Sequence, residues 1–325
     1  MSFIVRAASA LLLCMVLPAP SGSSAESYPA KSIRLIVPFP PGGPADALAR
    51  VVGDKIGASM GKPVIVDNRP GAGGNIGMEM GAKAAADGHT LVLAPAGNLT
   101  VNPSLYRVVP YDVDKDFAPI TMLASVPNIL VVHPSVPANS VAELVCYAKA
   151  HPGELNFSSP GNGSGAHLAG ELLKSVAGID MTHVPFNGIA PAVTALLGGQ
   201  VQLMFAGAPS VLQHVKTGKL RALGVASLKR IAAAPDLPTL AEAGFPGFDV
   251  TSWYGIVAPA GTPKEMIARL QSEMSKALNE PDVREKLAGL GAEPVGNTPV
   301  EFAAMIKSET AKWSKIVREA KITAD

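Results

Sequence analysis

The chain has 325 residues, of which 48% are hydrophobic and 16% are charged, with 27 Lys and Arg against 26 Asp and Glu. This length predicts about two domains, and the near-neutral charge argues against a nucleic-acid partner, which needs a basic surface. After the first 25 residues no apolar run approaches the ~20 residues of a membrane-spanning helix. Composition and charge do not distinguish an enzyme from a binding protein, so the sequence motifs are needed to do so.

Residues 1–25 have the layout of a secretory signal peptide. Arg6 precedes the apolar stretch AASALLLCMVLP, and small residues lead to Ala25. The stretch is too short for a membrane anchor, and a lipoprotein signal at Cys14 is the weaker alternative because no small residue precedes that cysteine. Cleavage after Ala25 would give an exported chain with zero formal charge. Cys146 would be its only cysteine, so no intrachain disulfide is expected.

Strand-like and helix-like segments alternate along the chain, which indicates a parallel α/β architecture. The strand IRLIV at 33–37 leads through the turn PFPPGGPAD at 38–46 into a helix with its apolar residues on one face. Pro44 suits the first turn of that helix, where a missing N–H costs nothing. Further strands are predicted at 63–68 and 90–95.

The pattern starts again near residue 125, and the last 75 residues depart from it with a strand and a loop at 252–261 and two helices. We therefore predict two lobes joined by two crossings, near 123–128 and 248–254. The predicted boundaries are residues 1–25 for the signal peptide, residues 26–125 plus 252–325 for the first lobe and residues 126–251 for the second.

The motifs of common enzyme classes are missing from the sequence. The six histidines form neither i,i+4 pairs nor a Cys/His array, so no metal site is expected. Ser164 lies in N-G-S-G-A, which does not match the nucleophile elbow G-x-S-x-G, and no G-x-x-x-x-G-K-[ST] phosphate loop is present. The glycines of GNGSG are a weak dinucleotide-binding signal. We expect no cofactor.

Two glycine-rich segments each follow a strand and open a helix, PFPPGGPAD at 38–46 and SSPGNGSGAH at 158–167. A helix N-terminus offers unpaired N–H groups and a partial positive charge, and glycine lets a ligand approach the backbone. Each junction could therefore hold a carboxylate without an arginine, beyond the carboxyl end of a strand. The alternative is two ordinary turns, with Asp46 as a capping or first-turn acid. His167 could contact a ligand or only shape its loop.

Eight segments together resemble one family: IRLIVPFPPGGPADALAR, VDNRPGAGGNIG, ADGHTLVLAPAG, NPSLY, FAPITML, GNGSGAHLAGELL, THVPFNGIAPAVTALLGGQV and APAGTPKEM. In order and spacing they look like the Bug family, the extracytoplasmic solute-binding receptors of tripartite tricarboxylate transporters. The resemblance covers the chain from about Tyr28 to its end.

This resemblance implies a monomeric periplasmic receptor, not an enzyme, with the two-lobed Venus-flytrap fold of type II periplasmic binding proteins. It would hold a mono- or dicarboxylate, an aromatic carboxylate or an amino acid between its lobes for transporter subunits of the cytoplasmic membrane. The resemblance also implies a set of ligand-binding residues, which are Phe39, Pro41, Gly42, Gly43, Asp46, Ala96, Gly97, Asn98, Ser158, Ser159, Gly161, Gly163, Ser164, His167, Phe186, Asn187 and Ala206.

The sequence departs from the family pattern at two places. Relatives often have Tyr-Lys-Gly where this chain has Phe186, Asn187 and Gly188, and they often have Asp where it has Ala206. We therefore expect a less polar pocket, and a ligand with one anchored carboxylate and a mostly uncharged far end. A sensory adaptor is one alternative function. An exported enzyme that acts on a small carboxylate through His167, Asp46 or Ser164 is the other.

Overall fold

The computed structural model describes residues 28–319 and Ile322. The predicted signal peptide, residues 1–25, lies outside these residues. Among the helices that the structure describes, none combines the length and the apolarity needed to cross a bilayer.

Strands and helices alternate over most of the described chain. The strands are β1 (Ile33–Val37), β2 (Val64–Asn68), β3 (Thr90–Pro95), β4 (Phe117–Val132), β5 (Asn156–Ser159), β6 (Thr182–Pro185), β7 (Leu203–Gly207), β8 (Arg221–Val225), β9 (Thr251–Pro259) and β10 (Glu293–Pro294). The helices are α1 (Pro44–Met60), α2 (Asn75–Ala82), α3 (Asn102–Leu105), α4 (Val113–Asp116), α5 (Val141–Ala150), α6 (Gly165–Ala177), α7 (Ile189–Leu197), α8 (Ala208–Lys216), α9 (Lys264–Asn279), α10 (Pro281–Gly289) and α11 (Pro299–Glu319). A 3-10 turn (Ala72–Gly74) precedes α2, and a π-helical turn (Gly97–Val101) precedes α3.

The strands follow the order β2-β1-β3-β9-β4-β7-β5-β6, and β8 and β10 also pair with β4. Within β4 the partner changes, because Pro127 pairs with Thr251 of β9 whereas Asn128 pairs with Gly207 of β7. The strands on either side of this change form two lobes. The first lobe holds β1, β2, β3, β9, β10 and the start of β4, and the second holds the end of β4 with β5 to β8.

The chain therefore crosses between the lobes twice. The first crossing lies within β4, between Pro127 and Asn128. The second lies just before β9, where the N–H of Val250 donates to the carbonyl of Ala226 at 2.7 Å before the strand begins at Thr251. Both points fall inside the intervals expected from the sequence. The residue boundaries proposed for each lobe stay a prediction.

The sheet is mixed, although the sequence pattern indicated parallel strands. Pairing is parallel between β1 and its neighbours and between β5 and its neighbours, whereas β4 and β9 pair antiparallel. The sequence predicted a strand only at 129–133 in this region because Pro119 and Pro127 interrupt the strand pattern. The structure accommodates Pro119 at an irregularity, where the β4–β9 register shifts before Thr121.

The last helix joins the apolar cores of both lobes. Phe302, in its first turn, is fully buried in a cluster with Ile36 and Val92 of the first lobe. Trp313, three turns later, is buried in a cluster with Phe157 of the second lobe. The side chain of Lys312 adds a hydrogen bond to the carbonyl of residue 249 at 3.1 Å. Helix α11 therefore ties the two lobes together in addition to the two crossings.

Candidate functional site

A cavity of about 360 Å³ lies where the loops of the two lobes meet. The first lobe contributes the turn after β1, the residues after β3 and the start of β9. The second lobe contributes the loop after β5, the first turn of α7 and the end of β7. The crossings also reach the cavity, through Val126 and Asn128 of β4 and Ser252 of β9. The cavity is thus bounded by both lobes and by the segments that join them.

Asp46 holds the turn after β1 in shape. Gly42 has a φ of +84°, a conformation that favours glycine, and its N–H donates to Oδ2 of Asp46 at 3.0 Å. Arg50 donates to both carboxylate oxygens, and Asn68 donates to Oδ1 of Asp46 and to the carbonyl of Phe39. Burial disfavours the charged carboxylate, but hydrogen bonds from Arg50, Gly42 and Asn68 outweigh it and lower the pKa of Asp46. The charge of Asp46 therefore serves the turn.

Two histidines, the buried His167 and the half-buried His183, hold the loop after β5. The N–H of Gly163 donates to Nδ1 of His167 at 3.1 Å, and Oγ of Ser164 accepts from the N–H of His167 at 3.3 Å. Behind them, Nε2 of His183 lies 2.7 Å from Oγ of Ser159. Burial lowers the pKa of His167 to about 4 and that of His183 to about 3. Both rings are therefore neutral near pH 7, as the bond from Gly163 to an unprotonated Nδ1 requires.

Four helices, α1, α6, α7 and α8, begin at the cavity. Ser164 caps α6 with its hydroxyl, whereas the N-cap residues of the other three helices, Gly43, Gly188 and Gly207, supply no side-chain cap. The first N–H groups of a helix have no intrahelical acceptor, and the helix dipole gives this end a partial positive charge. The backbone alone therefore makes the cavity favourable for an anion.

None of the described residues lining the cavity has a carboxylate, ammonium, guanidinium or imidazole side chain. The polar side chains on the wall are Asn98, Asn128, Ser164, Asn187, Ser210, Ser252 and Tyr254. Burial raises the pKa of Tyr254 to about 12, so its phenol stays protonated. Apolar wall residues include Phe39, Val126, Ile189 and Trp253. The wall can donate hydrogen bonds and bury hydrocarbon, but it offers no charged side chain to a ligand.

Most of the predicted ligand-binding residues line the cavity. The eleven that do are Phe39, Pro41, Gly42, Gly43, Ala96, Gly97, Asn98, Gly163, Ser164, Asn187 and Ala206. The six that do not are Asp46, Ser158, Ser159, Gly161, His167 and Phe186. These six support the loops instead. For example, the N–H of Phe186 donates to the carbonyl of Ser159 at 2.9 Å, and Oγ of Ser158 donates to the carbonyl of Ala192 at 3.3 Å.

Sequence reasoning missed the wall residues that come from the crossings and from α8. They are Val126, Asn128, Ser210, Ser252, Trp253 and Tyr254. Asn128 fixes the crossing itself, because its Nδ2 donates to Oγ of Ser252 and to the carbonyl of Val250, both at 3.0 Å. These residues could have been predicted, because the segments that cross between two lobes form one wall of the cleft. Both crossings were predicted from the sequence.

Two α/β lobes with two crossings and a cavity between them define a periplasmic solute-binding protein. The family model of the tripartite tricarboxylate transporter family receptor, TctC, matches residues 48–322, and the chain belongs to this family. The protein BugT of Bordetella pertussis is 42% identical over 297 residues, which cover 91% of this chain and 91% of BugT. The family resemblance and the two-lobed fold expected from the sequence are confirmed.

Two solved structures of relatives carry a named carboxylate. Rpa4515 of R. palustris with adipate is 37% identical, with a TM-score of 0.86, and the match covers 91% of this chain and 99% of that one. MatC (Rpa3494) from Rhodopseudomonas palustris with bound malate is 35% identical, with a TM-score of 0.83, and the match covers 89% of this chain and 100% of that one.

Proposed function

We propose that this protein is a periplasmic receptor that captures a small organic carboxylate between its lobes and presents it to the membrane subunits of a tripartite tricarboxylate-type transporter. Membership of the receptor family supports this role. The adipate and malate of the two relatives support the ligand class. The predicted signal peptide supports export to the periplasm.

One observation carries the proposal. The cavity between the lobes gathers four helix N-termini, three of them without a side-chain cap, on a wall without charged side chains. Such N-termini bind carboxylates through backbone N–H groups. In a site that excludes water these donors act in a low dielectric, where their attraction for an anion is strong. We place the ligand contacts at the eleven predicted residues on the wall, together with Asn128, Ser210, Ser252, Trp253 and Tyr254.

The residues of the same wall restrict the class of ligand that the cavity can hold. An ammonium group would lose its hydration without gaining a carboxylate partner, because Ala206 and Asn187 occupy the wall and Asp46 is bonded within its own turn. Phe39, Ile189 and Trp253 offer apolar surface instead. We therefore favour a carboxylate without an amino group, with one end held by backbone N–H groups and an uncharged, largely apolar far end.

Binding fits the geometry better than catalysis. Hydrolysis or group transfer needs a nucleophile beside a base at the cavity. The one hydrogen bond between a serine hydroxyl and a histidine ring among the described residues near the site, between Ser159 and His183, lies behind the loop and not on the wall. Ser164, which does line the cavity, uses its hydroxyl to cap α6.

A thermal-shift and calorimetry screen of residues 26–325 tests the proposal. Each carboxylate, including adipate, malate, hexanoate and benzoate, is compared with its own amide, and glutamate represents the amino acids. A ligand at ~100 times its dissociation constant stabilises a protein by ~2.7 kcal/mol, which gives a clear shift. We expect stabilisation by an acid and none by its amide. Stabilisation by no acid, or equal stabilisation by acid and amide, would contradict carboxylate capture.

A further inference from the structure

The two lobes touch beside the cavity at a contact built from glycines, which we call the interlobe seam. It consists of Gly73, Gly97 and Asn102 from the first lobe and Asn162 and Gly163 from the second. A Cβ atom added to Gly97 would overlap the carbonyl oxygen of Gly163, and one added to Gly163 would overlap Oδ1 of Asn102. A Cβ added to Gly73 would lie 3.2 Å from the carbonyl oxygen of Asn162. The backbone of Gly97 therefore meets that of Gly163 without an intervening side chain, and the side chain of Asn102 packs against Gly163.

The first-lobe side of the interlobe seam is held by buried hydrogen bonds. Nδ2 of Asn98 donates to the carbonyl of Gly73 at 2.9 Å, and the hydroxyl of Tyr111 donates to the carbonyl of Asn98 at 2.7 Å. Nδ2 of Asn102 donates to Oδ1 of Asn75 at 2.7 Å. Gly97 begins the π-helical turn between these groups, a rare geometry that is often found at functional sites. This network leaves Gly97 little freedom to move away from the second lobe.

The second-lobe side is equally fixed. The N–H of Gly163 donates to Nδ1 of His167, and the N–H of Ser164 donates to the carbonyl of Gly161 at 3.2 Å. Ser164 also caps α6. Since both sides are tied to their own lobes, an added atom at the seam can be accommodated only if the lobes separate.

The interlobe seam also contains a buried acceptor without a partner. Among the described residues, Oδ1 of Asn102 is a buried side-chain atom with no hydrogen bond, and it faces Cα of Gly163. Contact between the lobes removes this oxygen from water without replacing the lost hydrogen bond. The seam therefore combines a close backbone approach, which permits closure, with a desolvated acceptor, which opposes it.

We propose that the interlobe seam sets the closed position of the receptor, and that Gly97 must lack a side chain for the lobes to close. For its ligand readout, this inference rests on the function proposed above. The nearest atoms to an added Cβ at Gly97 all belong to Gly163 and Ser164 of the second lobe, and Gly97 does not have a positive φ. Alanine at this position therefore fits the first lobe by itself and conflicts only with the closed arrangement.

The test compares Gly97→Ala with the wild-type chain and with Gly289→Ala, a control glycine in α10 whose added Cβ meets no atom within 4 Å. Circular dichroism checks that both variants fold. Calorimetry and small-angle X-ray scattering are then recorded with the acid that most stabilises the wild type. We expect a dissociation constant at least tenfold higher for Gly97→Ala and no fall in its radius of gyration on adding the acid, while Gly289→Ala behaves as wild type.

Wild-type affinity and compaction in Gly97→Ala would overturn the role of the seam while leaving carboxylate capture intact. If no acid binds even the wild type, the proposed function fails and the seam is judged from the ligand-free chains alone. A larger radius of gyration for Gly97→Ala than for both controls would then support it, and equal radii would overturn it. A helical but expanded Gly97→Ala supports the seam, because the added methyl group is accommodated within the first lobe.

Discussion

The imidazole rings of His167 and His183 are stacked with their centroids 4.0 Å apart and their planes 20° from parallel. The pair stands behind the loop that carries Gly163 and Ser164 to the cavity wall. Because one nitrogen of His167 accepts from Gly163, protonation of that ring would replace an acceptor with a donor and place charge against its neighbour. The loop is thus supported by two rings that must stay neutral.

Acidification should therefore destabilise the protein through this pair. Both histidines have folded-state pKa values, about 4 and about 3, below the ~6.5 of an unfolded histidine. At pH values between the folded-state and unfolded-state pKa, the unfolded chain binds more protons than the folded chain does. The free energy of unfolding therefore falls as pH falls below about 6.5. We expect a loss of roughly 2–5 kcal/mol between pH 7 and pH 4.5 in urea titrations, since each histidine contributes up to about 1.4 kcal/mol per pH unit.

The matched variants for this prediction are His167→Asn and His214→Asn. An asparagine oxygen can replace Nδ1 as the acceptor for Gly163 but does not titrate, so His167→Asn should show a smaller loss over the same pH interval. His214, in the last turn of α8 and away from the pair, should leave the loss unchanged. An identical pH dependence in all three chains would exclude His167 as its source.

A negative charge placed at the start of α1 should weaken carboxylate binding without unfolding the protein. Gly43 is the N-cap of α1 and lies on the cavity wall, and an added Cβ would make only an ordinary contact, 3.9 Å from the carbonyl oxygen of Pro40. Asp and Asn are both good N-cap residues and similar in shape, so either variant should change stability by only a few tenths of a kcal/mol. Calorimetry should show binding to Gly43→Asp at least tenfold weaker than binding to Gly43→Asn. Equal affinities would mean that the ligand carboxylate lies elsewhere.

Ligand affinity should be independent of pH between about 6.5 and 9. No described residue on the wall has a group that ionises in this range, since burial holds the pKa of Tyr254 at about 12, and a simple carboxylate is already fully ionised. Calorimetry at pH 6.5, 7.5 and 9 should give dissociation constants within about twofold of each other. A tenfold change per pH unit would reveal an ionisable group in contact with the ligand.

The two glycine-rich turns at the cavity could be predicted because glycine and proline mark strand-to-helix turns, and the anion site proposed at them follows from the chemistry of a helix N-terminus. The sequence could not show which side chains of these loops face the ligand. Asp46 and His167 are the most reactive residues in their segments, yet both lie one turn inside a helix and bond back to the loop. Their direction depends on how each helix packs on its sheet, and a single sequence does not reveal that packing.

The long strand β4 illustrates a second limit. Pro119 and Pro127 lie within it, and proline lowers the strand signal because it lacks an N–H. In the structure Pro127 is the last residue of β4 that pairs with β9, and Asn128 then pairs with β7. Pro127, which weakened the strand signal, thus lies at the crossing. Its neighbours Val126 and Asn128 were therefore not predicted as wall residues.

Removing the indole of Trp313 should destabilise the whole molecule. The side chain is 3% exposed, belongs to a buried cluster with residues of both lobes and donates from Nε1 to Glu309 at 2.9 Å. Truncation of a buried tryptophan typically costs ~3–5 kcal/mol. Urea unfolding of Trp313→Ala should show a loss of this size, whereas Lys307→Ala, exposed on the same helix, should stay within ~0.5 kcal/mol of the wild type. A small loss for Trp313→Ala would mean that the end of α11 can leave the second lobe at little cost.

Helix α11 packs with residues of both lobes, and this limits how new ligand preferences can arise by recombination between related genes. The middle segment, about 126–251, contributes much of the cavity wall, so its exchange would be a direct route to a receptor with a different cargo. Trp313 and Val317, encoded well beyond that segment, are nonetheless buried in the same cluster as its core residues. A chimera that inherits only the middle segment would pair a foreign core with the old chain end. The middle segment and the end of α11 therefore form one heritable unit, although about sixty codons separate them.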